Sequence, residues 1–173
     1  MSSTIQLATQ VGTIHQKYSA VHGALFGRTS YRLFLSALAG RQGAAYRKSA
    51  TSLMHLEQEL SDLRGDLETQ DDGPSHRWGG KLLPDTLTEY AVALKECIGT
   101  LKRICDRLAE DESSYRTTSA GEASEFYRDK VEYDDRKSHL ERLGTKLSKL
   151  FSNYQSPRGW GQNRGRGRGR TGD

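Results

Sequence analysis

Residues 84–108 read PDTLTEYAVALKECIGTLKRICDRL, and Leu87, Ala91, Leu94, Ile98, Leu101, Cys105 and Leu108 recur there at alternating spacings of four and three. That alternation keeps all of them on one stripe of an α-helix. Pro84 opens the helix, where its missing N–H removes no hydrogen bond, and Thr86 and Glu89 stand in capping-box spacing. A helix with a single long apolar stripe must bury it against other helices, so the neighbouring segments are read for matching stripes.

They are present on both sides. Leu7, Val11, Ile14, Tyr18, Val21 and Leu25 define a helix over about residues 4–26, which Gly27 closes. Tyr31, Phe34, Leu35 and Leu38 begin a second segment, interrupted at Gly40-Arg41-Gln42-Gly43. Two glycines three apart lower helix propensity by about 2 kcal/mol relative to alanine, so a kink or short loop is expected there. Tyr46, Ala50, Leu53, Leu56, Leu60, Leu63 and Leu67 then carry the stripe to about Glu68. Residues 69–83, with Gly73-Pro74 and Gly79-Gly80, read as a connection, and residues 109–123 as a polar linker. A last helix is expected over about residues 124–153, with Leu140, Leu143, Leu147 and Leu150 or Phe151 apolar in its second half. Its first half, residues 128–137, is dominated by charge, with Val131 and Tyr133 as its apolar members. Arg128 and Glu132, Lys130 and Asp134, and Glu132 and Arg136 are each four apart and can pair along one face. Four amphipathic helices make the expected fold all-α, an antiparallel four-helix bundle over residues 1–155.

The remaining residues, 156–173, read SPRGWGQNRGRGRGRTGD and are expected to form a disordered, Arg/Gly-rich basic tail. The whole chain has 26 Lys and Arg against 22 Asp and Glu; the tail holds five arginines and one acid, which leaves 21 of each sign in residues 1–155. The body is therefore neutral and the net charge of +4 belongs to the tail. Guanidinium groups on such a segment can lie along phosphates or stack on bases. Arg158, Arg164, Arg166, Arg168, Arg170 and Trp160 are accordingly the candidate contacts for single-stranded RNA. The plainer reading is a solubilising tail or spacer. Trp78, beside Arg77, either offers a second stacking platform or covers one end of the bundle.

Other chemistry is thin. His15 and His22 are seven apart and share a face, but two imidazoles without a nearby Cys or carboxylate make a poor metal site. Gly40–Gly43 lacks the preceding strand and the Lys-Ser/Thr ending of a phosphate loop. Asp134 and Asp135 are adjacent, and adjacent helical residues point about 100° apart, which suits a solvated or salt-bridged face better than joint chelation. No catalytic residue, metal, cofactor or small-molecule substrate is expected, and the protein does not read as an enzyme. Cys97 and Cys105, eight apart on one helix, are beyond disulfide reach and read as small buried residues in a reducing compartment. Residues 1–10 lack a basic start followed by an apolar run, and no stretch of about twenty apolar residues occurs, so neither a secretory signal nor a membrane span is expected.

Thr100-Leu101-Lys102-Arg103-Ile104, together with Tyr31-Arg32-Leu33-Phe34-Leu35, Arg77-Trp78 and a Ser/Thr-rich loop before Glu132-Tyr133-Asp134-Asp135-Arg136, resembles the coat proteins of rod-shaped plant RNA viruses, the tobamovirus-like four-helix family. In that family the last step is a basic residue, an apolar or aromatic one, then Asp-Asp-Ala. Here Glu132 and Arg136 stand at the basic and small positions. The resemblance implies four-helix subunits that self-associate into a helical capsid around single-stranded RNA, with a virion location. It also implies that Arg103 is the basic residue near the RNA groove, and Asp134 and Asp135 the carboxylates of the adjoining helix. Leu83-Pro84-Asp85-Thr86-Leu87, leading to Leu94, Cys97 and Leu101, is also similar to helical N-terminal domains of fungal signalling ATPases, which implies a protein-interaction module. A cellular RNA-binding adaptor with an Arg-Gly tail, located in the cytoplasm, is a third reading.

Overall fold

The computed structural model describes residues 3–26, 43–70, 82–110 and 120–155. They form helices α1 (Thr4–Phe26), α2 (Gly43–Asp62), α3 (Arg64–Glu68), α4 (Leu82–Glu110) and α5 (Ala120–Gln155). The fold is all-α, and no strand occurs among the described residues. Gly40–Gln42, Trp78 and the Arg/Gly tail lie outside them.

α1 spans the expected residues and is capped reciprocally: Gln6 N donates to Ser3 Oγ and Ser3 N donates to Gln6 Oε1, both at 3.2 Å. The capping box expected at Thr86 and Glu89 is not one. α4 begins earlier, at Leu82, which places Thr86 a full turn inside the helix and buries it. Pro84 permits this because a third helical residue still belongs to the first four, whose N–H groups have no intrahelical acceptor. The stripe reaches Leu67 as expected, with Leu63 packed against the core and Leu67 buried, but the helix itself is broken at Leu63, where the bonds Leu63 N to Glu59 O (3.3 Å) and Leu67 N to Leu63 O (2.9 Å) carry the chain through into α3. The linker expected over residues 109–123 is also shorter, since Ala109 is buried within α4 and α5 already begins at Ala120.

α4 is the centre of the molecule and packs against α1, α2 and α5. All of its predicted stripe is buried, and so are Ala93, Cys97, Thr100 and Ile104, which lie off that stripe. A single stripe serves one neighbour; burial on several faces is what three neighbours require. α2 contributes Tyr46, Leu53, Leu56 and Leu60, α1 contributes Leu7, Val11, Ile14 and Tyr18, and α5 contributes Tyr133, Leu140, Leu143 and Leu147.

The cross-helix pairs give the directions. Along α4 and α5, Arg103 meets Glu132, Glu96 lies near Arg136 and Glu89 near Lys146, so the two run oppositely. Along α2, its continuation α3, and α4, Glu57 of α2 approaches Gly99 while Leu67 O of α3 accepts from Thr88 Oγ1, again in opposite senses. α1 meets α4 at His15 and Tyr90 and meets α5 at Tyr18 and Tyr133.

Candidate functional site

Two polar seams cross this helical core. The first joins α4 to α5. Asp129 is 5% exposed, and its carboxylate oxygens form ion pairs with Arg103, 3.4 Å from Nε, and with Arg107, 2.8 Å from Nη1. Arg103 and Arg107 are one turn apart on α4, so both guanidinium groups reach the same acid. Arg103 also donates through Nη2 to Glu132 Oε2 at 2.7 Å, and Glu132 Oε1 lies 2.8 Å from Arg136 Nη2. Arg136 continues to the Glu96 carbonyl at 3.5 Å. The result is an alternating run of basic and acidic groups across both helices, anchored on one buried carboxylate.

Arg103, Asp134 and Asp135 are therefore not brought together. Arg103 faces Asp129 and Glu132, whereas Asp134 accepts from Lys130 at 2.5 and 2.6 Å on α5 itself, and Asp135 is exposed. Of the expected pairs four apart, Lys130–Asp134 and Glu132–Arg136 form, and Glu132 takes a second partner, Arg103, from α4. Asp129 is the residue that the charge-rich reading of residues 128–137 passed over. A signal was there: it sits one turn before Tyr133, on the stripe that continues to Leu140, Leu143 and Leu147.

The second seam joins α1 to α4 and α5 through rings and hydroxyls. Tyr90 Oη lies 2.6 Å from His15 Nδ1, Tyr133 Oη lies 2.6 Å from His22 Nδ1, and the hydroxyls of Tyr18 and Tyr133 are 2.5 Å apart. Phe26 stacks on Tyr133, and Lys130 Nζ sits over both rings, 5.1 and 5.9 Å from their centres. α5 comes close at Gly144, where a Cβ would stand 3.4 Å from Tyr90 Cε2. Burial, followed by the nearby Lys137, lowers the pKa of His15; burial, Lys137 and Lys130 lower that of His22. Burial pushes Tyr90 up to about 12 and holds Tyr18 and Tyr133 well above the usual phenol range. All of these hydroxyls therefore stay protonated. Burial also raises the Cys97 and Cys105 thiols, to about 11 and about 12, and both are free and buried.

A groove of about 640 Å³ lies along α2 and α4, lined among others by Glu57, Arg64, Val92, Lys95 and Gly99. Its charges are mixed in sign. Among the described residues no group of three or more His, Cys, Asp or Glu is placed to hold a metal ion, and no helix is long and apolar enough to cross a membrane. Comparison with protein families, curated proteins and solved structures finds no match to this chain.

Proposed function

We propose that the protein is a structural RNA-binding protein: residues 1–155 form an antiparallel bundle of four long helices that self-associates, and a disordered tail anchors single-stranded RNA. The observation that carries this reading is the partition of charge. Residues 156–173 hold the net +4, while the body holds equal numbers of acids and bases. Within the described body, Arg103, Arg107 and Arg136 are already matched by Asp129, Glu132 and Glu96. A neutral body allows copies to stack without mutual repulsion, and the arginine tail supplies contact with phosphates. Arg103 is 43% exposed but reaches a phosphate only by giving up Glu132, so the larger share of RNA contact is assigned to Arg158, Arg164, Arg166, Arg168 and Arg170, with Trp160 as a stacking ring. Val131, 61% exposed beside Asp134 and Asp135, offers apolar surface to a second copy. The most specific version of this reading is a coat protein that forms helical rods.

Five arginines on phosphates give a log–log salt slope of about −3.5, at about −0.7 per single-strand contact. Removal of residues 156–173 is expected to abolish most of that slope in a filter-binding or fluorescence titration; a truncated chain with the full slope would overturn the role of the tail. Electron microscopy of the full chain with RNA is expected to show rods or discs. A compact monomer indifferent to RNA would instead support an interaction module.

A further inference from the structure

The α1 seam contains a directional hydrogen-bond chain. Each tyrosine hydroxyl has one proton to give, and each imidazole nitrogen either accepts or donates. When His22 is neutral with its proton on Nε2, Nδ1 is an acceptor, so Tyr133 donates to His22 and Tyr18 donates to Tyr133. Every proton then has a strong acceptor. A protonated His22 has only a donor at Nδ1, which forces Tyr133 to donate to Tyr18 and leaves the Tyr18 proton to the Cys97 thiol sulfur, a weak acceptor. At His15 a protonated Nδ1 likewise becomes a donor, so the Tyr90 hydroxyl must accept and turn its own proton away from the imidazole.

The charged groups that act on these rings come from α5. Lys137 opposes a positive charge at both histidines and Lys130 opposes it at His22, whereas Glu141 favours it at both and Asp134 favours it at His22. α4 presents the neutral Tyr90 to His15, and Cys97 beside Tyr18. The other polar tie from α1 to a different helix among the bonds described is Lys17 to Glu59, at 3.0 and 2.9 Å on the surface.

We propose that this seam is a pH-operated latch: protonation of His15 and His22 reverses the hydrogen bonds that tie α1 to α4 and α5 and loosens α1, which its apolar stripe still holds, against a core of α2, α4 and α5 that stays assembled. The core persists because α4 makes its most extensive contacts with α2 and α5, and the latter pair is fastened by Asp129. The latch stands whether or not the chain binds RNA. Both histidines bind fewer protons folded than unfolded. Their contribution is therefore complete above the ordinary value of 6.5 and is lost as pH falls through the lower folded values.

The test is amide hydrogen exchange of the full chain, read separately on α1 and α4 at about pH 7.5 and about pH 5 and corrected for intrinsic rates. Protection of α1 relative to α4 is expected to fall on acidification, by about tenfold per histidine for each unit by which its folded pKa lies below the ordinary value. Equal loss in both helices, or an α1 indifferent to pH, overturns the latch. His15→Asn with His22→Asn keeps a hydrogen-bond acceptor without a titrating ring and is expected to remove the dependence; its persistence in the double variant also overturns the proposal. Tyr18→Phe supplies a reading independent of that variant. Without the Tyr18 oxygen, Tyr133 has no acceptor once His22 is protonated, so imidazole NMR is expected to show the His22 pKa moving further down. An unchanged or raised value overturns the reversal.

Discussion

The α4–α5 seam and the α1 seam are both part-buried and polar, yet they solve opposite problems. The first sets groups of opposite sign against each other: Asp129, 5% exposed, lies between Arg103 and Arg107, and Glu132 bridges Arg103 to Arg136. The second keeps its groups neutral, with His15 and His22 lowered and Tyr18, Tyr90 and Tyr133 raised, in each case chiefly by burial. An ion-paired seam loses stability when one partner is removed, because the other is left uncompensated. A neutral seam loses stability when a proton is added. The ionic seam is therefore probed by removing a partner, and the neutral seam both by removing a partner and by adding a proton.

The largest expected effect tests the ionic side. Asp129→Ala removes the acid that Arg103 and Arg107, one turn apart on α4, share, while Arg103 keeps Glu132, and breaking a buried pair commonly costs about 3–5 kcal/mol. Both arginines are 40–43% exposed, so water recovers part of this and a loss of about 2–3 kcal/mol is expected in urea unfolding. A loss well below about 1 kcal/mol would mean that Asp129 does not anchor the seam.

Tyr133→Phe comes next, since it strips the shared partner from Tyr18 and His22 at once. Partly buried groups left unpaired predict a loss of about 1–3 kcal/mol, with the ring packing against Phe26 retained. The variant also sharpens the comparison: its acid sensitivity should differ from that of the parent, whereas Asp129→Ala should leave the His22 imidazole titration where it was. The smallest effect belongs to Lys17→Met. Its bond to Glu59 joins side chains 51% and 44% exposed, so a change within about 0.5 kcal/mol is expected at moderate salt. A larger loss would make that surface tie, rather than the histidines, the main polar fastening of α1.

Much of the helical framework was legible from spacing. The stripe Leu7, Val11, Ile14 and Tyr18 and the stripe Leu87 to Leu108 are buried as their periodicity requires. The ends were less legible. Capping spacing alone pointed to Thr86, while the reciprocal cap lies at Ser3 and Gln6, because any Ser or Thr three residues before a Glu or Gln fits the pattern and the backbone decides which pair is used. The candidate residues divided in the same way. Arg103 was singled out as a cation, and its two acidic partners became visible only when α5 was placed beside α4. His15 and His22 were recognised as sharing a face, but their partners Tyr90 and Tyr133 lie 75 and 111 residues away in the chain.

By itself the sequence determined the all-helical class, the stripe that each long helix must bury, and the concentration of net charge in residues 156–173. These follow from local periodicity and composition, which need no partner to be defined. Only the tertiary structure decided that α4 is central, that Asp129 rather than Asp134 is the buried carboxylate, and that two histidines end hydrogen-bond chains from tyrosines on other helices. Charge pairing and proton direction are properties of contacts between helices, and those contacts exist only once the helices have packed.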